Sequence, residues 1–233
     1  MIDESKIIFF TGAPGSKWSA VSVLIANNNI IPVNVSDRSK DREYDHGSKF
    51  NNVKHLGAYW GPGMEFGQCF HDLKNTDKQT VLEDIAKPFK NTKDYLIVKC
   101  HQFVYNLDWI VNNFPASKII TVMRPPSACW DGWYGVGGID IEYPSYKEYY
   151  KTNENAKALI NHECELVREW IYKHNLNIHT ATLNHWRDFW NIDFDNDENL
   201  KYANSLIGKQ PGTKLKYDVQ VSYFNFQDIN ARL

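Results

Sequence analysis

Three short stretches carry the residue types that grip phosphate and move protons. Residues 12–19 read GAPGSKWS, residues 99–101 read KCH, and residues 124–127 read RPPS. In the first, glycines and a small serine let backbone N–H groups curl around an anion, and a helix starting there would add its positive end. The triphosphate loop GxxxxGK[ST] would need glycine at 17 and lysine at 18, where Lys17 and Trp18 stand. A plain Gly-Pro turn has the same letters; a strand before and a helix after favour the anion loop. In the second stretch, Lys99 and His101 are two apart and would share one face of a strand. Together they offer a phosphate ligand and a proton acceptor, although a strand surfacing into polar residues would read alike. In the third, Arg124 can fork onto a phosphate. Without an anion its charge would oppose the dipole of the helix that follows.

These stretches matter only if the chain brings them together. Residues 6–11 (KIIFFT) are β-branched and aromatic, which predicts a buried central strand. A helix over 16–27 follows, with Ala20, Val23 and Leu24 inward, and then a short strand over 31–37. Residues 77–86 read as helix, 95–100 as strand, 105–114 as helix and 118–123 as strand. Arg124-Pro125-Pro126 leads into a helix over 127–134. Residues 145–174 read as one long helix, with a stripe at Leu159, Cys164, Val167 and Ile171. A fifth strand is expected over 177–183 and a last helix over 198–207. Strands alternating with helices imply an α/β fold: one domain over 1–233, with a central parallel sheet of about five strands flanked by helices. Ligands of such sheets sit at the carboxyl ends of the strands, where all three stretches fall.

The chain has 233 residues, 42% hydrophobic and 23% charged, with a net charge of −2. That suits a globular domain and gives no global basic field for nucleic acid or an anionic membrane. Eight tryptophans and 14% aromatic residues suggest a large core and an aromatic-walled pocket. The cysteines Cys69, Cys100, Cys129 and Cys164 form no CxxC pair, so reduced thiols are expected rather than a metal site. The polar opening MIDESK is no signal peptide, and no apolar run nears the ~18 residues of a membrane helix. The expected location is cytoplasmic.

In this order, GAPGSKWS, VKCH and KIITVMRPPSACWDGWY resemble the sulfotransferases that use 3′-phosphoadenosine 5′-phosphosulfate (PAPS). That family has a first-strand loop of the type PKSGTTW, a later Lys-x-His motif with a catalytic histidine, and a strand of the type IYVxRNPKDVAVSYY. Pro14, Ser16 and Ser19 fit the loop. Lys99-Cys100-His101 fits Lys-x-His. Ile120, Val122, Arg124, Pro126 and Trp133-Tyr134 fit the third motif. The resemblance covers roughly residues 6–134 and implies a P-loop nucleotide-triphosphate-hydrolase-like fold. It also implies sulfuryl transfer to an acceptor hydroxyl or amine, with adenosine 3′,5′-bisphosphate as product and no metal. His101 would be the general base, with Lys17 or Lys99 stabilising the leaving oxygen. Pro14, Gly15, Ser16, Lys17, Trp18, Ser19, Arg124 and Ser127 would hold the donor.

The chain departs from the family at three positions. Gly15 stands where the family has its catalytic lysine, Gly132 where a serine holds the 3′-phosphate, and Ala20 where a tryptophan packs on adenine, a role Trp18 would inherit. The segment 208–214 (GKQPGTK) only weakly matches the family's C-terminal Arg-Lys-Gly segment.

The acceptor, a small molecule, glycan or peptide, would be lined by a lid or pocket insertion over 38–76. That segment holds His46, Phe50, His55, Tyr59, Trp60 and Phe66, with bends at Gly61 and Gly63; a loop over 135–139 would add to it. His71, His162, His174, His179 and His185 lack metal-ligand spacing, and Glu163, Glu165 and Glu169 read as a solvated helix face. Two alternatives stand beside the transferase. One is a small-molecule or nucleoside kinase, for which Asp37 is the one acid near a strand end and Mg²⁺ would be needed. The other is a catalytically inactive nucleotide-binding protein, which Gly15 and Gly132 would suit.

Overall fold

The computed structural model describes residues 2–36, 57–141, 146–207 and 218–226. Its centre is a six-stranded sheet: β1 (Ile7–Thr11), β2 (Val33–Asn34), β3 (Tyr95–Lys99), β4 (Lys118–Met123), β5 (Ile178–Thr180) and β6 (Gln220–Phe224), in the order β2-β3-β1-β4-β6-β5. β2, β3, β1 and β4 run parallel. β6 is antiparallel to both β4 and β5. The sheet is therefore mixed, not the all-parallel sheet of about five strands that the alternating pattern implies. The difference is β6, which inserts between β4 and β5 from the far end of the chain.

Strand period fixes the layers. Ile7 and Phe9 face one side of β1, with Phe103, Ile110, Phe114, Val167 and Trp170. Ile8 and Phe10 face the other, with Trp18, Leu24, Trp186, Trp190 and Leu206. Alternate side chains of one strand so serve two cores, which is why IIFFT is apolar throughout. Helix α1 (Trp18–Ala26) follows β1. Helix α2 (Lys78–Ala86) opens where Asp77 caps Thr80 N–H at 2.9 Å, and α3 (Leu107–Asn113) precedes β4. Helix α4 (Pro126–Tyr134) carries Pro126 in its first turn, where a missing N–H costs nothing.

The long helix expected over 145–174 is two helices, α5 (Tyr146–Tyr150) and α6 (Asn153–Lys173). Lys151 at φ 66° breaks the run, and the Thr152 hydroxyl then caps Asn155 N–H at 3.1 Å. Of the expected strand over 177–183, only Ile178–Thr180 pairs. Thr182 instead caps a further helix, α7 (Leu183–Trp190), through His185 N–H at 3.1 Å. Helix α8 (Asp197–Ile207) packs against α1. No helix among the described residues is long and apolar enough to cross a membrane.

β1 lies between β3 and β4, so the chain leaves β1 towards β2 on one side and crosses to β4 on the other. This reversal puts a crevice at the carboxyl end of β1. If β6 completes the sheet, Val221, fully buried between β4 and β5, cannot carry charge. Val221→Asp is expected to cost about 4 kcal/mol or to abolish folding. Ile178→Asp, at a half-exposed edge position, is expected to cost well under about 1 kcal/mol. Urea denaturation of the two variants checks the contrast.

Candidate functional site

The loop after β1 is a tight turn leading into a helix. Ser16 N–H donates to Ala13 O at 3.0 Å, with Pro14 and Gly15 between them and Gly15 at φ 78°. Proline then glycine at these positions is the signature of a type II turn. The turn consumes the Ser16 N–H, so the loop is not an open ring of amides. Lys17 follows in the left-handed region at φ 70° and gives α1 no side-chain cap. The positive end of α1 thus opens beside an exposed lysine. The Ser16 hydroxyl is buried without a partner.

Residues from both neighbouring strands grip this loop. His101 starts a short 3₁₀ turn (His101–Tyr105) directly beyond β3, and its Nδ1 bonds the carbonyl of Gly12. A carbonyl only accepts, so Nδ1 carries the proton and Nε2 of the neutral ring keeps its lone pair. Burial pulls the His101 pKa down to about 3, the Gly12 contact opposing weakly. The ring lies against Trp18, centroids 3.8 Å apart, and Tyr59 packs on both at 5.1 and 5.6 Å. Thr11 Oγ1 donates to Cys100 O at 2.7 Å and ties the ends of β1 and β3 together.

On the other side, Arg124 reaches back from the end of β4. Its Nη1 donates to Gly15 O at 2.8 Å and to Ala128 O at 3.0 Å. Nε and Nη2 donate to Asp218 Oδ2 at 3.1 and 2.6 Å. Two donors on Nη1, one on Nε and one on Nη2 make four of the five guanidinium N–H groups directed at protein. Arg124 is therefore first a clasp between the loop, α4 and β6. Sequence reasoning could not find Asp218, because its partner lies 94 residues away.

Gly15 faces the backbone of α4. A Cβ on Gly15 would lie 1.9 Å from Cys129 O, so no side chain fits there; one on Gly132 would lie 3.0 Å from Arg124 Nη1 and 3.4 Å from Gly15 O. Of the other expected donor-binding residues, Pro14 and Trp18 are buried, Ser19 lies half-buried in the first turn of α1, and Ser127 is exposed in the first turn of α4. Lys99 ends β3, 2% exposed, and burial lowers its pKa to about 8. Protein bulk and then the Arg124 charge lower that of Lys17.

Of the acceptor-side residues, Tyr59 sits beside His101, while Trp60 and Phe66 belong to the core. Asp37, His46, Phe50, His55 and the segment 208–214 lie outside the described residues. Glu163 is not on a solvated face. It is fully buried, three residues from Ile160 and four from Val167 in the inward stripe of α6. That spacing was a readable signal. No cluster of three or more metal-ligating side chains occurs among the described residues.

No protein-family model, curated protein or solved structure matches this chain.

Two outcomes follow from the loop geometry. Gly15→Ala must meet both the left-handed φ and the Cys129 carbonyl, so it is expected to lose about 2–4 kcal/mol, read as a lowered thermal midpoint. His101 binds its proton far less readily folded than unfolded, so stability falls as pH drops from about 6.5 towards 3. Between pH 6.5 and 4.5 the slope should approach about 1.4 kcal/mol per pH unit. His101→Asn should remove that share in pH-resolved denaturation, leaving the parallel share of buried His185, whose pKa burial lowers to about 4.

Proposed function

We propose that the protein is a transferase of the PAPS-dependent sulfotransferase type, moving a sulfuryl group to a hydroxyl or amine of an acceptor. One observation carries this reading. The three stretches the resemblance rests on meet on one loop, with His101 on the Gly12 carbonyl and Arg124 on the Gly15 carbonyl. A donor phosphate would meet the open N-terminus of α1, Lys17 and the remaining Nη2 N–H of Arg124.

In this reading the acceptor O–H or N–H gives its proton to His101 Nε2 as the acceptor atom bonds to sulfur. The bond from sulfur to the bridging oxygen breaks, and the electron pair stays on the leaving phosphate. Lys17 and the end of α1 offset that charge, with Lys99 the other candidate cation. A base with a pKa of about 3 is weak on its own. An anionic donor beside the ring raises its proton affinity, so base strength arises in the loaded state. The family's loop lysine has no room at Gly15, which leaves Lys17 as the loop cation.

An inactive nucleotide binder is favoured by the pairing of Arg124 with Asp218, since a donor phosphate must compete with that carboxylate. Binding and turnover separate the readings. Adenosine 3′,5′-bisphosphate and PAPS are expected to raise the thermal midpoint more than ATP, and transfer from labelled PAPS should survive EDTA. His101→Ala should cut turnover at least about 100-fold with donor binding kept. Preference for ATP removes the proposal, tight PAPS binding without transfer or hydrolysis leaves the inactive binder, and near wild-type turnover in His101→Ala removes the base assignment.

A further inference from the structure

The helices α4, α5 and α6 enclose polar atoms that the protein itself leaves unsatisfied. Glu163 is the one fully buried acid among the described residues. Its Oε1 accepts from the Tyr105 hydroxyl at 3.0 Å, and its Oε2 has no partner. The Tyr150 hydroxyl, Trp133 Nε1 and Asn153 Oδ1 are also buried without partners. Eight such atoms occur among the described residues, and five of them, Trp170 Nε1 included, lie on α4, α5 and α6. Buried polar groups are nearly always satisfied, and a cluster that is not calls for a bound molecule or ordered water.

Glu163, Tyr150 and Trp133 belong to one neighbourhood, while Asn153, ten residues and so about 15 Å along α6 from Glu163, lies apart from the carboxylate. The Trp133 and Tyr150 rings stand 5.2 Å apart, and Tyr149 and Tyr146 flank Tyr150 at 4.8 and 5.6 Å. Asn153 Oδ1 and the Trp133 ring both border Gly138, 3.9 and 3.6 Å from where its Cβ would be. Glu163 makes the Tyr150 hydroxyl harder to ionise, after burial itself. The neighbourhood also reaches the loop site, because Tyr146 OH lies 3.2 Å from the OH of Tyr59, which packs on His101.

Chemistry selects the occupant. Glu163 Oε2 and the Tyr150 oxygen can both accept, while Trp133 Nε1 can only donate. A primary ammonium brings three N–H donors and the counter-charge that a buried carboxylate needs. Aromatic faces around it add cation–π attraction. Without a cation, burial lifts the Glu163 pKa to about 8 and keeps it largely protonated at neutral pH. Water would satisfy the hydrogen bonds but supply no charge.

We propose that the α4–α5–α6 layer binds an organic ammonium group, with Glu163 as counter-ion, Tyr150 as a further acceptor, and the rings of Tyr105, Tyr149 and Trp133 as walls. That this is the far end of the acceptor, with its reacting group at His101, rests on the transferase reading. Binding of the ammonium does not.

The experiment uses the full chain without donor. Tyramine, 2-phenylethylamine and ethanolamine are each compared by calorimetry with a neutral counterpart, respectively 4-ethylphenol, 2-phenylethanol and ethylene glycol. At least one amine is expected to bind tenfold or more tightly than its counterpart. Glu163→Gln, which keeps the shape, should reduce that ratio to about twofold or less while leaving adenosine 3′,5′-bisphosphate binding unchanged. Should Glu163→Gln fail to fold, Tyr105→Phe, which removes only the hydroxyl on Oε1, should alter the ratio in the same comparison. The proposal is overturned if no amine exceeds its counterpart, or if the preference persists unchanged in the variants. Loss of nucleotide binding in the wild type would instead count against the transferase reading.

Discussion

The site depends on the way the loop over residues 12–17 is held. Two of its carbonyls are taken by side chains from opposite neighbours of β1, Gly12 by His101 and Gly15 by Arg124. Each bond joins the end of a parallel strand to the turn that starts α1. The loop cannot move without leaving a buried imidazole or a nearly buried guanidinium unpaired, and such losses cost more than the bonds contribute when made. Loop conformation, the His101 tautomer and the direction of Arg124 are thus one coupled state. Anything that binds at the N-terminus of α1 meets a surface already set in shape.

The electrostatics divide into two zones. Lys17 and Arg124 supply positive charge at the loop, with Asp218 the opposing acid on Arg124. Deeper in, His101, Lys99 and Glu163 are buried, and burial shifts each towards its neutral form. Groups in this condition respond strongly to a charged neighbour, since in a low dielectric the arrival of an anion or cation decides their protonation. An anion near His101 and a cation near Glu163 would each restore the charged form that burial suppresses.

What could be read from sequence follows the range of the interactions. β1, β3 and β4 are apolar runs whose own composition requires burial, and the loop letters declare a turn. The three stretches could therefore be assigned to neighbouring strand ends. β6 could not be found this way. QVSYF alternates only loosely, and its place between β4 and β5 is set by pairing with residues about a hundred positions earlier. Asp218, just before β6, was hidden with it. Helix α7 was lost because Thr180-Ala181-Thr182 continues a strand pattern, and only the Thr182 cap ends it. Glu163 was misread because charge was weighted above position on α6.

Gly15 and Gly132 form one packing feature. Gly15 is pressed against the Cys129 carbonyl of α4, and Gly132, one turn further along that helix, faces the Gly15 backbone across 4.0 Å from its Cβ position. A glycine inside a helix costs about 1 kcal/mol relative to alanine. Here it leaves the space through which Arg124 Nη1 reaches the Gly15 carbonyl. A lysine at 15 would require α4 to withdraw, and a serine at 132 would crowd the guanidinium. Introducing either residue alone therefore breaks the clasp. A loop packed this closely on α4 must take its cation from beyond the turn, and Lys17, lifted out by its left-handed backbone at the start of α1, is the first position where a long side chain has room.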